Sequence, residues 1–241
     1  RALTKPGVPA GARHRALTGV PLNAHDLYKT GLATRYVPDK EDLGLDQLYA
    51  ELSSAPAGEL ATPLDRRGVE APRRLESGLF NEATLQAVRD AFEKGTTVDA
   101  VRADLETARE AAKKLQGSCG WATREAADGV LDVLDAAADG LQKGCPTALA
   151  VTLDAIDRLA ARRGDADPAA ARYGRRVELA ANARLGGAPD FAEGVACVVG
   201  ARRGERPKWS NDAALVGAIQ RVVDGLGDGT SLADVVAGAR G

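Results

Sequence analysis

Apolar residues recur at helical spacing along most of this chain, and that periodicity limits what it can fold into. Val98, Val101, Leu105, Ala108, Ala112 and Leu115 form a near-continuous stripe behind Thr97, whose hydroxyl suits a helix N-cap. Leu85, Val88 and Phe92 mark one helical face before it, and Trp121 to Leu141 reads as a further helix. Pro146 stands where a first helical residue belongs and opens a helix through Leu149, Leu153, Ile156 and Ala160; Pro168 opens the next. Asp190 to Val199, Asp212 to Val223 and Leu232 to Ala239 complete the series. Toward the start, Asn23 to Thr30 and Asp39 to Leu52 read as helices, with LATRYV (Leu32 to Val37) extended between them. Only 4% of residues are aromatic and alanine dominates, so the core is built of Ala, Leu and Val, which suits closely packed helices. The expected fold class is mainly α.

The formal net charge of −2 supplies no global attraction to nucleic acid or anionic membrane. No apolar run reaches the ~20 residues of a membrane helix. The nearest, VACVV (Val195 to Val199), is expected to be a buried segment. Cys119, Cys145 and Cys197 are odd in number and far apart, without a CxxC pair, so neither a zinc site nor a disulfide framework is expected. Mostly buried, reduced thiols are the expected state. Methionine is absent even at position 1, which points to a removed presequence or to a start inside a longer polypeptide. The opening RALTKPGVPAGARHR is basic and acid-free like a transit peptide, but Pro6 and Pro9 are expected to break any amphipathic helix there, so it reads as part of the fold.

Four segments carry a family resemblance. ALTGVPLNAHDLYKTGLATRYV (Ala16 to Val37), GCPTALAVTL (Gly144 to Leu153), DFAEGV (Asp190 to Val195) and RPKW (Arg206 to Trp209) resemble, in order, segments of 3-hydroxyisobutyryl-CoA hydrolases of the crotonase (enoyl-CoA hydratase/isomerase) superfamily. The resemblance implies the C-terminal helical portion of a crotonase-like fold, with the ββα spiral core largely missing, since only fifteen residues precede ALTG here. It also implies that the Gly-rich oxyanion loop and the M-P-E and P-D-V-G carboxylate segments lie outside this sequence. Family members use these to stabilise an oxyanion and to move protons. Within the matching parts, GARHR replaces an apolar aromatic run before ALTG, Arg35 replaces a usual His, Ala150 a usual Lys, and GARRGE (Gly200 to Glu205) an Asp-Lys-Asp-like loop.

Candidate sites are few. Asp39, Glu41 and Asp42 cluster, but at a helix start, where acids favour the dipole. His14 lies between Arg13 and Arg15, whose charge is expected to depress its proton affinity, and His25 follows the ALTG turn; neither has metal-ligand spacing. No catalytic residue and no metal ligand is expected, and a cofactor-binding residue is not legible. No cofactor is expected either, and a CoA thioester enters only if the missing half is present. There are 24 Arg against 8 Lys, with paired arginines also at Arg162–Arg163 and around Arg172, Arg175 and Arg176. The candidate RNA or phosphate contacts are Arg66, Arg67, Arg73, Arg74, Arg202, Arg203 and Arg206. A GC-rich genome is the competing explanation for the arginine bias.

The expected organisation is 1–52 as the end of a crotonase-like core with the first helices, 53–80 as a Pro-, Gly- and Arg-rich linker, 81–209 as the hydrolase-like helical region, and 210–241 as a helical tail. The apolar stripes call for cover, so other protein subunits are the expected partners, with RNA second and no membrane insertion. The function expected from the resemblance is a non-catalytic, hydrolase-like structural subunit of a large assembly in the mitochondrial matrix. The small subunit of the mitochondrial ribosome comes first and a respiratory complex next. The alternatives are the C-terminal half of an active 3-hydroxyisobutyryl-CoA hydrolase of valine breakdown, and a free-standing helical regulator of another crotonase-fold protein.

Overall fold

A computed structural model describes residues 9–24, 27, 45–56, 58–59, 63–64, 82–118, 121–162, 168–227 and 229–240. Its described residues form ten helices and no strand: α1 (Pro9–Thr18), α2 (Leu45–Ser54), α3 (Glu82–Phe92), α4 (Val98–Ser118), α5 (Trp121–Lys143), α6 (Pro146–Ala161), α7 (Pro168–Leu185), α8 (Pro189–Val198), α9 (Ala213–Asp224) and α10 (Leu232–Arg240). The all-helical expectation holds. The expected extended segment Leu32 to Val37 and most of the expected helix Asn23 to Thr30 lie outside the described residues.

The chain divides into two units, one of residues 3–20 with 82–241, the other of residues 21–81. In the second, α2 turns Leu48 inward. The first holds the remaining nine helices, arranged around two apolar clusters.

Around the first cluster, α1 packs on α3, α5 and α6, while α4 packs on both α3 and α5. Leu17, Val88, Phe92, Val101, Leu105, Leu134 and Leu141 are all buried. Arg109 donates to Asp135 and Gln116 to Asp128, so residue numbers rise along α4 as they fall along α5 and the pair is antiparallel. Thr97 caps α4 as its sequence implies, its hydroxyl accepting from the Ala100 amide at 3.1 Å. Gly140 is required where α5 crosses the end of α1, because a Cβ there would overlap the Thr18 carbonyl oxygen. The second cluster joins α6, α7, α9 and α10 through Val151, Tyr173, Val177, Ile219, Val223 and Val235. Asp212 caps α9 by accepting from the Leu215 amide.

Two expectations are corrected. Pro9 does not break a helix; it begins α1, where a missing N–H costs nothing because the first turn has no acceptor for it. VACVV is not buried: Val195, Val198 and Val199 are 42%, 66% and 75% exposed, and only Cys197 of that run points inward.

Candidate functional site

Three of the four segments that carried the resemblance, GCPT, DFAEGV and RPKW, meet at α8. Pro189 opens this helix behind the N-cap Ala188, and Asp190 and Glu193, one turn apart, hold it in place. The Asp190 carboxylate is 8% exposed. One oxygen accepts from the Ser210 amide at 2.7 Å. The other takes the Cys145 thiol at 3.3 Å and the Thr147 hydroxyl at 3.5 Å. Thr147 in turn accepts from the Asp212 amide at 2.9 Å. Glu193 accepts from the Lys208 amide at 2.7 Å and from Arg202 at 2.5 Å. The Trp209 indole N–H donates to the Lys143 carbonyl at 3.2 Å, and its ring lies against Gly194, where a Cβ would crowd it. GCPT, DFAEG and RPKW are therefore three parts of one clasp, which ties residues 202–212 to α8 and to the start of α6.

Electrostatics suit that holding role. Burial pushes the Asp190 pKa up, but donors from Ser210, Cys145 and Thr147 outweigh it and hold the carboxyl below its ordinary value. The Lys208 amide and then Arg202 hold Glu193 below its own. Burial chiefly raises the Cys145 thiol, with the Asp190 carboxylate adding to it, which makes Cys145 a donor rather than a nucleophile. Both acids are held as anions, unlike a proton shuttle, which needs a pKa near the working pH.

The clasp has a geometric consequence. Asp190, Glu193 and Cys197 occupy the inner side of α8, so Phe191, Val195, Val198 and the C-cap Val199 are turned to the outside. These follow at i, i+4, i+7 and i+8, a single helical stripe. Phe191 is 57% exposed. Among the described residues no other helix packs extensively along α8; side-chain hydrogen bonds fix it instead. The usual amphipathic arrangement is inverted here, with carboxylates inward and aliphatic side chains outward.

A cleft of about 690 Å³ opens beside the clasp, between the start of α4 and the α6 face that bears Ala150, Asp154, Asp157 and Arg158. Its charges are matched in place. Arg158 bridges Asp154 and Asp224 at 2.7 and 2.6 Å. Arg102 pairs with Asp99 at 3.0 Å. Asp157 takes two donors from Arg13, at 2.9 and 2.6 Å. Asn211, at φ 53°, holds left-handed backbone at its rim. Ala150, where the resemblance leads one to expect Lys, lines this cleft.

The sequence-predicted residues fare unevenly. Arg66, Arg67, Arg73, Arg74, Arg35, His25, Cys119 and the cluster Asp39, Glu41 and Asp42 lie outside the described residues. Arg203 and Arg206 are exposed, whereas Arg202 is spent inside the clasp on Glu193 and Cys197. Arg162 stacks on the Tyr173 ring at 3.6 Å, and Arg176 is buried and donates to the Thr230 carbonyl. His14 is buried to 1% exposure, edge-on to Phe92. Its proton affinity is lowered first by burial and only then by Arg15. Among the described residues no group of three or more His, Cys, Asp or Glu is placed to hold a metal, and no helix is long and apolar enough to cross a membrane.

Sequence reasoning passed over Thr147, Asp190, Glu193 and Arg13. Asp190 and Glu193 were legible as an i, i+3 pair opposite an apolar stripe, but the stripe was assumed to face inward.

A family model described as enoyl-CoA hydratase/isomerase matches residues 6–216. No curated protein and no solved structure matches the chain.

Proposed function

Because the chain belongs to the enoyl-CoA hydratase/isomerase family, we propose that it serves as a hydrolase-like, non-catalytic structural subunit that docks into a large mitochondrial assembly through the outer face of α8. The observation that carries this reading is the inversion of α8: its carboxylates are spent on backbone amides while its aliphatic stripe faces out. A helix that turns Phe191, Val195, Val198 and Val199 to water offers an interaction surface, since soluble monomers rarely expose contiguous apolar patches beyond a few hundred Å². In this reading the assembly is the small subunit of the mitochondrial ribosome, ahead of a respiratory complex, and the compartment is the matrix. Of the candidate phosphate contacts, Arg203 and Arg206 are described and exposed beyond α8, open to RNA phosphates.

A second reading has support in the family match itself. The clasp and its neighbouring helices would complete an active 3-hydroxyisobutyryl-CoA hydrolase, with oxyanion donors and proton-moving carboxylates supplied from outside this sequence. The CoA thioester is then substrate.

Two measurements separate the readings. The purified chain is incubated with 3-hydroxyisobutyryl-CoA and the release of free thiol followed; a tagged chain is sedimented from mitochondrial extract. The structural reading predicts no thiol release above buffer, together with co-migration with a large particle that Val198→Asp abolishes. Turnover by the chain, or migration as a free protein, contradicts it.

A further inference from the structure

We propose that the cleft between the start of α4 and α6 binds a primary ammonium carried on a short aliphatic stem, held between Asp154 and Asp157. The cleft shares no residue with the outer face of α8, so it stands apart from the docking reading. Its volume of about 690 Å³ falls in the range of small-molecule pockets. Ala150, Asp154, Asp157 and Ala161 follow one another along one face of α6, at i, i+4, i+7 and i+11. The alanines leave room at either end of that face, and the two carboxylates, one turn apart, occupy its middle. Val98, Pro146 and Leu153 supply aliphatic wall.

Ion pairing commits Arg13, Arg102 and Arg158 here, but it does not engage every carboxylate oxygen. Arg13 directs both of its Asp157 donors, at 2.9 and 2.6 Å, to the single oxygen Oδ1. The rest of its bonds go to the Phe92, Glu93 and Gly95 carbonyls. Arg158 meets Asp154 through Oδ2 alone and spends its other bond on Asp224. Arg102 is divided between Asp99 and the Leu141 carbonyl. Asp154 Oδ1 and Asp157 Oδ2 are thus without a donor among the described residues, on side chains only 26% and 33% exposed. Partial burial strengthens a charge-assisted bond formed at either oxygen.

These residues select the ligand. Asp99, Asp154, Asp157 and Asp224 outnumber the three arginines, so the cleft attracts cations. An anion would meet the carboxylates and find each guanidinium already committed. The start of α4 offers it little, being served by the Thr97 cap and by Asp99 in the first turn. A bare metal ion is poorly provided for, since among the described residues no three His, Cys, Asp or Glu gather to hold one. An ammonium needs less. Its three N–H donors suit the two free oxygens and one further acceptor, and Gln220 lines the α9 side of the cleft. The stem is then covered by Val98 and Leu153. A free alkylamine and the lysine side chain of another protein share this chemistry.

The test is a methyl NMR titration of the full chain at neutral pH and low salt, reading Val98 and Leu153. Pentylamine and Nα-acetyl-lysine methylamide are the probes, and pentanol is the uncharged control. Saturable shifts with a dissociation constant of about 1–10 mM are expected for amines of so few atoms, with pentanol roughly tenfold weaker or more. Added salt should weaken the amines and leave pentanol unchanged. Tighter binding of pentylamine assigns the cleft to free amines; tighter binding of the lysine derivative assigns it to a protein side chain. Asp154→Asn should weaken binding roughly fivefold or more, and Arg158 keeps Asp224 in that variant. Ala150→Lys should abolish binding, because a lysine there places its own ammonium one turn from Asp154. Absence of saturable shifts from both amines overturns the proposal. So does pentanol binding as well as the amines, or amine binding indifferent to Asp154→Asn and Ala150→Lys. Shifts confined to Val195, Val198 and Val199 also overturn it, as apolar contact with α8 alone.

Discussion

His14 gives the sharpest quantitative prediction. It sits on α1, 1% exposed, with its ring edge-on to Phe92 at a centroid distance of 5.1 Å. Neither ring nitrogen has a hydrogen-bond partner among the described residues. Burial, reinforced by the neighbouring Arg15 charge, lowers its pKa from 6.5 to about 3. The folded chain therefore keeps the ring neutral at pH values where the unfolded chain protonates it. A lowered histidine pKa means the unfolded state binds more protons, so stability is complete above pH 6.5 and is lost as pH falls toward 3. At ~1.4 kcal/mol per pH unit, the full loss is about 5 kcal/mol, comparable to the whole stability of many domains.

The carboxylates of the clasp do not obscure this window. Asp190 and Glu193 lie below their ordinary values of 3.8 and 4.5, so their contribution is present above those values and fades only at lower pH. Between pH 6.5 and 4.5 the fall expected from His14 is roughly 3 kcal/mol. His14→Phe keeps an aromatic ring against Phe92 and removes both unpartnered nitrogens. It should raise stability near neutral pH by about 1–3 kcal/mol. It should also flatten the profile between pH 6.5 and 4.5. Urea denaturation at half-unit pH steps measures both effects. Parallel profiles for the two proteins would refute the reasoning, and would mean that the imidazole is satisfied or hydrated in the folded chain.

Substitutions at Arg13 and Gly140, each with a control, test the packing around the first apolar cluster. Arg13→Met removes donors to the Phe92, Glu93 and Gly95 carbonyls and to Asp157, so it should cost about 3 kcal/mol in chemical denaturation. Arg13→Lys should recover only a small part, because one ammonium cannot reach both sets; full recovery would refute the bridging role. Gly140→Ala forces a methyl onto the Thr18 carbonyl and should destabilise by roughly 2–3 kcal/mol, with a lower melting temperature as the readout. Gly129→Ala, in open space on the same helix, should be neutral or slightly stabilising.

The helical fold was readable because its signals are local. Thr97, Pro146 and Asp212 announce helix starts by their own chemistry, and the α4 stripe from Val98 to Ala112 has one period throughout. What sequence could not supply was direction. Periodicity shows that residues 191, 195, 198 and 199 share a face, but not whether that face meets protein or solvent. The answer depends on Ser210 and Lys208, whose amides capture Asp190 and Glu193 from 15 to 20 positions away. The half-buried placement of Arg13 and the burial of His14 were hidden for a related reason. A charged and a titratable residue in a basic run look like surface until the ends of α3 and α6 arrive to receive the arginine.

Asp190 and Glu193 hold residues 208–210 to α8 as a clasp. Amide hydrogen exchange at Lys208, Ser210 and Asp212 probes that clasp most directly. The clasp predicts slow exchange at all three. Ser210 should accelerate at least tenfold in Asp190→Ala, and Lys208 likewise in Glu193→Ala. Exchange at the rate of an unstructured peptide in the unsubstituted chain would contradict the account, as would rates indifferent to both substitutions.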